Sequence, residues 1–363
     1  MGLSLEHVYK SLDKEIHLSN INLDIESGSK TVVLGRTLAG KTSLLRIMAG
    51  LDRPTRGSLV MDHRDITGVP VRKRSIAMVY QQFINYPSFT VFDNIASPLK
   101  VAKMDRAEIQ KRVAEVAEIL HLTPMLDRLP AELSGGQQQR TAIARALVKD
   151  TQLLLMDEPL VNLDYKLREE LQTELQEIFK HRNAMVVYTT TEPCEALKLG
   201  GNIVVMDQGK ILQTGPTTQV YREPSTLKVA EVFSDPPINY LACRVEGEIL
   251  ILNSGDVLSL SGHLKQLTPG SYILGIRSNN LFLKAQDPGD LQLTARVKLA
   301  EINGSETFIH VDCSGERLVV QEVGIVSLKI GSNTLVFMNP ANFFVFSQAG
   351  DLVLAPDPLV HGR

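Results

Sequence analysis

The stretch Gly35-Arg36-Thr37-Leu38-Ala39-Gly40-Lys41-Thr42 constrains this chain more than any other, because it fits the pattern G-x-x-x-x-G-K-[ST]. The β-branched run Thr31-Val32-Val33-Leu34 leads into it, and Leu44 to Met48 continues as a helix. A strand, a glycine-bounded loop and a helix in that order surround a phosphate chain with successive backbone N–H groups and a helix N-terminus. Gly35 and Gly40 let the backbone come close, and Lys41 supplies a mobile charge for the outer phosphates. The Thr42 hydroxyl is placed for Mg²⁺, while Arg36, Thr37, Leu38, Ala39 and Ser43 complete the expected nucleotide-binding loop and first turn.

A second element follows. Leu153-Leu154-Leu155-Met156 is a continuous apolar run, as in a strand buried on both faces, and it ends in Asp157-Glu158-Pro159. Asp157 is expected to hold the metal and Glu158 to polarise an attacking water. Met185–Tyr188 and Ile203–Met206 are two more such runs, with helices between them, so a parallel sheet is predicted. Asp105 and Glu108 have capping-box spacing, and Ile109, Val113, Val116, Ala117 and Leu120 form one apolar stripe, read as core packing. Beyond Asp235-Pro236-Pro237 the texture changes to short strand-like runs (248–252, 271–276, 308–311, 318–323 and 343–346), which points to a small β-barrel domain after a linker at about 221–237.

A third element is Leu133-Ser134-Gly135-Gly136-Gln137, two glycines at the start of a helix and so a second anion-binding end. One chain does not need two such ends for one γ-phosphate, but a head-to-tail dimer does. In the order and spacing of these three motifs the sequence resembles the ATP-binding cassette family, whose signature is LSGGQ. The resemblance implies an α/β P-loop NTPase cassette with a RecA-like core over residues 1–235, and a helical subdomain at about 84–145. It implies ATP and Mg²⁺ as cofactors. It places Gln81 at the Q-loop, touching metal and water, and Asp164 at the end of the D-loop, where Val161 replaces a common serine. The stretch Phe83-Ile84-Asn85-Tyr86-Pro87 resembles the part of sugar-importer ATPases that lies against the membrane subunits.

Besides Val161, two positions depart from that family. Tyr188-Thr189-Thr190-Thr191-Glu192-Pro193-Cys194-Glu195-Ala196 puts Thr191 in the slot of the switch histidine. Threonine hydrogen-bonds but presents no imidazole to a γ-phosphate. Leu12, with Tyr9 nearby, falls where an aromatic residue usually stacks on adenine, and leucine offers apolar contact only. Three consequences of Thr191 stand open: slow hydrolysis at this site beside a fuller partner ATPase, hydrolysis on Glu158 with another group in the histidine's role, or no effect.

Residues 236–363 resemble the accessory OB/TOBE-like barrel of sugar importers through Leu274-Gly275-Ile276-Arg277 and Glu301-Ile302-Asn303-Gly304-Ser305-Glu306-Thr307, with Ser278-Asn279 in place of the usual Pro-Glu. The whole chain is similar to maltose and glycerol-3-phosphate importer ATPases. The runs 37–44, 80–87 and 162–170 and Thr190-Thr191-Glu192-Pro193 look like the paired ATPase subunits of bacterial glycerol importers. That resemblance implies a second ATPase subunit, two membrane-spanning permease subunits and, indirectly, an extracytoplasmic solute-binding protein. It implies a peripheral place on the cytoplasmic face of the bacterial plasma membrane and import of a small polyol or sugar, glycerol first. Another carbohydrate or sugar phosphate, and an ATP-clamping regulatory subunit with weak hydrolysis, are the alternatives. A net charge of −3 leaves no basic footprint for nucleic acid. No run of about 18 apolar residues predicts a transmembrane helix. The three cysteines are widely spaced, as in a reducing compartment.

Overall fold

The computed structural model describes residues 2–13, 15–161, 163–180 and 182–357. Asn162, within the run 162–170 above, lies outside the described residues, as do 358–363 at the end of the expected barrel. The chain divides into two compact units, Met1–Thr217 and Thr218–Arg363.

The first unit opens with strands β1 (Gly2–Leu12) and β2 (Glu15–Glu26), which pair antiparallel. After β3 (Lys30–Leu34) and helix α1 (Lys41–Ala49), β4 (Arg56–Met61) and β5 (Arg64–Asp65) extend that sheet in the order β2-β1-β4-β5. Apolar residues alternate along these strands: Leu3 and Leu5 on β1, then Ile21, Leu23 and Ile25 on β2, all buried. A single hydrophobic cluster joins them to Leu44, Leu45 and Met48 of α1.

The second sheet of this unit carries β6 (Ile76–Val79), β7 (Leu153–Asp157), β8 (Met185–Thr190), β9 (Asn202–Asp207) and β10 (Lys210–Pro216). Its order is β10-β9-β3-β8-β7-β6, parallel throughout except for β10. All five residues of β7 and all six of β8 are buried, as continuous apolar runs demand of central parallel strands. Between β6 and β7 lie α2 (Val91–Val101), α3 (Arg106–Ile119) and α4 (Gly135–Leu147). The α3 stripe is buried at Ile109, Val113, Ala117 and Leu120. Asp105 caps α3 by accepting from the Ala107 N–H, but Glu108 does not close a capping box. Its carboxylate takes the Arg112 Nε–H at 2.7 Å one turn on, an ion pair that outcompetes the reach back to the cap. Arg140 on α4 is buried and pairs at 2.7 Å with Glu174 of α5 (Tyr165–Lys180), tying the helices to the sheet's flank. Helix α6 (Pro193–Leu199) follows β8.

The predicted linker is folded. Helix α7 (Thr217–Arg222) ends at its start and α8 (Leu227–Val232) lies within it, where the Thr226 hydroxyl caps α8 by accepting from the Val229 N–H. Ala230 is buried with Ile238, Phe344 and Phe346, so residues from 218 onward group with the second unit. Glu223-Pro224-Ser225 gives the segment its loop-like texture and separates two helices too short to show a stripe.

The strands of the second unit all pair antiparallel. Strands β11 (Asn239–Glu246), β12 (Ile249–Leu252), β13 (Val257–Ser259) and β14 (Gly270–Ile276) come first, then β15 (Leu281–Phe282), β16 (Leu291–Asn303), β17 (Glu306–Cys313), β18 (Glu316–Val323), β19 (Asn333–Met338), β20 (Phe344–Ser347) and β21 (Leu352–Leu354). They form sheets ordered β13-β12-β11-β14-β20-β21 and β15-β19-β16-β17-β18 around one core, a nearly closed OB/TOBE-like barrel. A side chain helps to close it. The buried Asn239 amide donates to the Val319 carbonyl at 3.0 Å and accepts from the Val319 N–H at 2.6 Å, standing in for a ladder pair between β11 and β18. Asn239→Ala strands both backbone groups and is expected to cost roughly 2 kcal/mol. Far-UV circular dichroism of the full chain in denaturant checks this, and an unchanged midpoint contradicts it.

Candidate nucleotide site

The phosphate-binding loop leaves β3 at the centre of the parallel sheet. A Cβ on Gly35 would lie 2.6 Å from the Met206 carbonyl and 2.8 Å from the Ala39 Cβ, so only glycine fits there. Gly40 has φ +99°, in the left-handed region, and forms the N-cap of α1 with no side-chain cap bond. The first N–H groups of α1 are therefore presented to a ligand rather than consumed by a cap.

Lys41 is 4% exposed. Its ammonium donates to the Gly35 carbonyl at 2.7 Å and the Arg36 carbonyl at 3.0 Å, and it pairs with Glu158 Oε1 at 3.0 Å. The Gln81 amide lies 3.5 Å from Glu158 Oε2. The Thr42 hydroxyl donates to Asp157 Oδ1 at 3.2 Å. Motifs far apart in sequence thus meet in one network. Glu158 takes φ +43°, a strained value for a non-glycine residue, and its N–H is held by Thr189 Oγ1 at 2.9 Å. Thr189 also donates to Asp157 Oδ1 at 3.0 Å, so one buried threonine fixes both acids. Burial pushes the Asp157 carboxyl above its ordinary range, against the Thr42 and Thr189 hydrogen bonds that lower it.

These groups line a cleft of about 600 Å³ that contains Thr37 to Ser43, Gln81, Glu158, Val161 and Thr191. Gly35, Arg36 and Asp157 are not on the lining but hydrogen-bond to Lys41 and Thr42, which are. Leu12 is not on the lining. It is 57% exposed at the β1–β2 turn, and Glu15, Ile16 and His17 of β2 line that end instead. Ser134, Gly135, Gly136 and Gln137 do not line the cleft either. Ser134 caps α4 in a capping box with Gln137. A Cβ on Gly136 would strike Leu167 at 2.0 Å, whereas around Gly135 there is open space. Packing within the chain therefore explains Gly136 but not Gly135. Asp164 accepts from the Leu167 N–H at 2.9 Å at the start of α5.

Behind Thr191 is a group that sequence reading passed over. Glu195 is buried and accepts from Thr190 Oγ1 at 2.7 Å and from Tyr188 Oη at 3.2 Å, anchoring the Thr190–Glu192 turn. The visible signal was three successive threonines after an apolar strand, two of them buried.

The model of the ABC transporter family matches residues 18–161. The trehalose/maltose import ATP-binding protein MalK of Thermococcus litoralis is 38% identical over 335 residues, 88% of this chain and 90% of that protein. The sn-glycerol-3-phosphate import ATP-binding protein UgpC of Escherichia coli (strain UTI89 / UPEC) is 38% identical over 323 residues, again 88% and 90%. A solved dimer of the ATP-binding cassette MJ0796 bound to ADP and Pi has a TM-score of 0.53 and 30% identity, covering 59% of this chain and 98% of that one.

Burial also raises the Glu195 carboxyl, against its two hydrogen bonds. A raised acid contributes full stability below its unfolded-state range and loses it as pH climbs through its folded-state value. Glu195→Gln is therefore expected to raise the melting temperature relative to the unmodified chain at pH 8 and to converge with it at pH 4. Thermal melts at the two pH values check this, and a gain that grows toward acid contradicts it. Its motifs and its relatives together make the chain a member of the ABC transporter family, an ATP-binding subunit of the kind found in sugar and glycerol-3-phosphate importers.

Proposed function

We propose that the chain binds MgATP in the cleft of Lys41, Thr42, Gln81 and Glu158, and works in a head-to-tail pair with a second ATPase subunit to drive uptake of a small polyol or sugar, glycerol first. The meeting of Lys41, Thr42, Asp157, Gln81 and Glu158 in one network carries this reading. Thr42, Asp157 and Gln81 offer oxygen donors only, as a hard cation that keeps phosphate and water ligands prefers. A buried Asp157 carboxyl that is costly to ionise fits a group completed by a cation. Mg²⁺ bound there would neutralise phosphate charge.

Glu158 is the base, and its pairing with Lys41 keeps it from water until phosphate oxygens take over Lys41. The open space at Gly135 on the exposed start of α4 supports a partner's γ-phosphate as the occupant. The relatives that carry sugar and glycerol-3-phosphate import in their names support the solute class. Two membrane-spanning permease subunits and an extracytoplasmic solute-binding protein complete this reading, with the chain peripheral on the cytoplasmic face of the plasma membrane. No helix among the described residues is long and apolar enough to cross a membrane.

Thr191 on the cleft wall favours the asymmetric pair, or an ATP-clamping chain with weak turnover, over two equal ATPases. In the complete transporter, Thr191→His is expected to raise turnover at this site several-fold while leaving ATP affinity within about twofold; no gain removes this role for Thr191. Glu158→Gln is expected to abolish turnover at this site in the same assay, and retained turnover there would rule out Glu158 as the base.

A further inference from the structure

Beside the Thr191 turn lies a crevice of about 10 Å³, room for one water-sized group. Glu158, Val161 and Thr191 line both this crevice and the nucleotide cleft, so the two spaces adjoin. The rest of its charged lining is Glu192, Glu195 and Arg168. Three carboxyl groups thus face one small space. Among the described residues that line it, Arg168 alone is cationic.

The backbone of Arg168 is firmly placed and its guanidinium is not. Arg168 sits in the first turn of α5, where its N–H donates to the Asp164 carbonyl at 3.0 Å. The guanidinium makes one long contact, Nη2 to the Leu163 carbonyl at 3.5 Å. Its Nε is buried and has no hydrogen-bond partner among the described residues. A buried donor without an acceptor is costly, and a bridging water relieves that cost. The charge is also felt across the crevice. Burial pushes the Glu195 carboxyl up, while its bonds to Thr190 and Tyr188 and the Arg168 charge pull against it. Under the proposed function, phosphate takes Lys41 away from Glu158 and brings further negative charge to the wall that Glu158 and Thr191 share. Arg168 is then the cation left on the crevice side of Glu158. The Thr191 hydroxyl both donates and accepts, so it passes a hydrogen bond from a crevice water toward the cleft.

We infer that Arg168 is a positioning residue for ATP hydrolysis at this site. Through a water in the crevice, its guanidinium orients Thr191 and Glu158 toward the γ-phosphate and supplies the positive charge that the Thr191 slot lacks. The inference rests on the cleft's being the ATP site with Glu158 as base. A charge acting through a water is weaker than an imidazole in direct contact, so turnover here is slow rather than absent.

The test is turnover at this site in the complete transporter as MgATP is varied, with titration calorimetry of the full chain for MgATP binding. Arg168→Gln is expected to lower kcat about tenfold with KM within about twofold, and Arg168→Lys to restore most of the rate. In a Thr191→His background, where an imidazole supplies the charge directly, Arg168→Gln is expected to cost no more than about twofold. Unchanged kcat in Arg168→Gln overturns the inference. So does an equal loss in the Thr191→His background, which marks a role in holding the fold alone, and so does failure of Arg168→Lys to recover the rate. If the unmodified chain binds MgATP but turns nothing over at this site, the inference falls and the ATP reading of the cleft stands. If it binds no MgATP, both fall.

Discussion

The ion pair between Lys41 and Glu158 is what the rest of the cassette is arranged around. An ammonium with 4% exposure needs acceptors on every side, and it finds two loop carbonyls and one carboxylate. The loop carbonyls are in reach because Gly35 and Gly40 allow a bend that other residues could not make. The carboxylate is in reach because β7 lies two strands from β3, with β8 between them. Thr189 at the end of that intervening strand then sets the acids' backbone and Asp157 Oδ1. Removing one partner of such a pair leaves a buried charge uncompensated, so under the proposed function nucleotide arrival is an exchange of anions on Lys41 rather than a simple addition.

Under the proposed function, that exchange lets binding and turnover separate. Lysine, loop and metal-facing oxygens serve the phosphates, and all are in place. Turnover needs in addition a group that holds the γ-phosphate and water in line with Glu158. At the place where an imidazole would extend into the cleft, this chain has Thr191, backed by the Glu195 network. A turn anchored so firmly is positioned for a side chain to act from it, and the side chain itself is short.

Much of this was legible in the sequence. Continuous apolar runs ending in chemistry, at Leu34 and Asp157, marked central parallel strands and placed their motifs at the strand ends. The antiparallel sheet of β1, β2, β4 and β5 was less visible because its residues alternate and half of them face solvent. Strand β16, the longest in the second unit, escaped because Leu291, Leu293, Ala295 and Val297 are separated by Gln, Thr and Arg. Helices α7 and α8 are too short for a stripe. At the site, Lys41, Thr42, Asp157 and Glu158 followed from spacing, but His17 and Thr189 depend on which strands become neighbours, and local pattern does not carry that.

The most direct test of the exchange on Lys41 is equilibrium binding of MgATP to the full chain carrying Lys41→Ala. If Lys41 is the charge that phosphate oxygens take over from Glu158, affinity falls by about two orders of magnitude or more, with the fold retained by circular dichroism. Unchanged MgATP affinity in that variant would contradict the assignment of this cleft as the phosphate site.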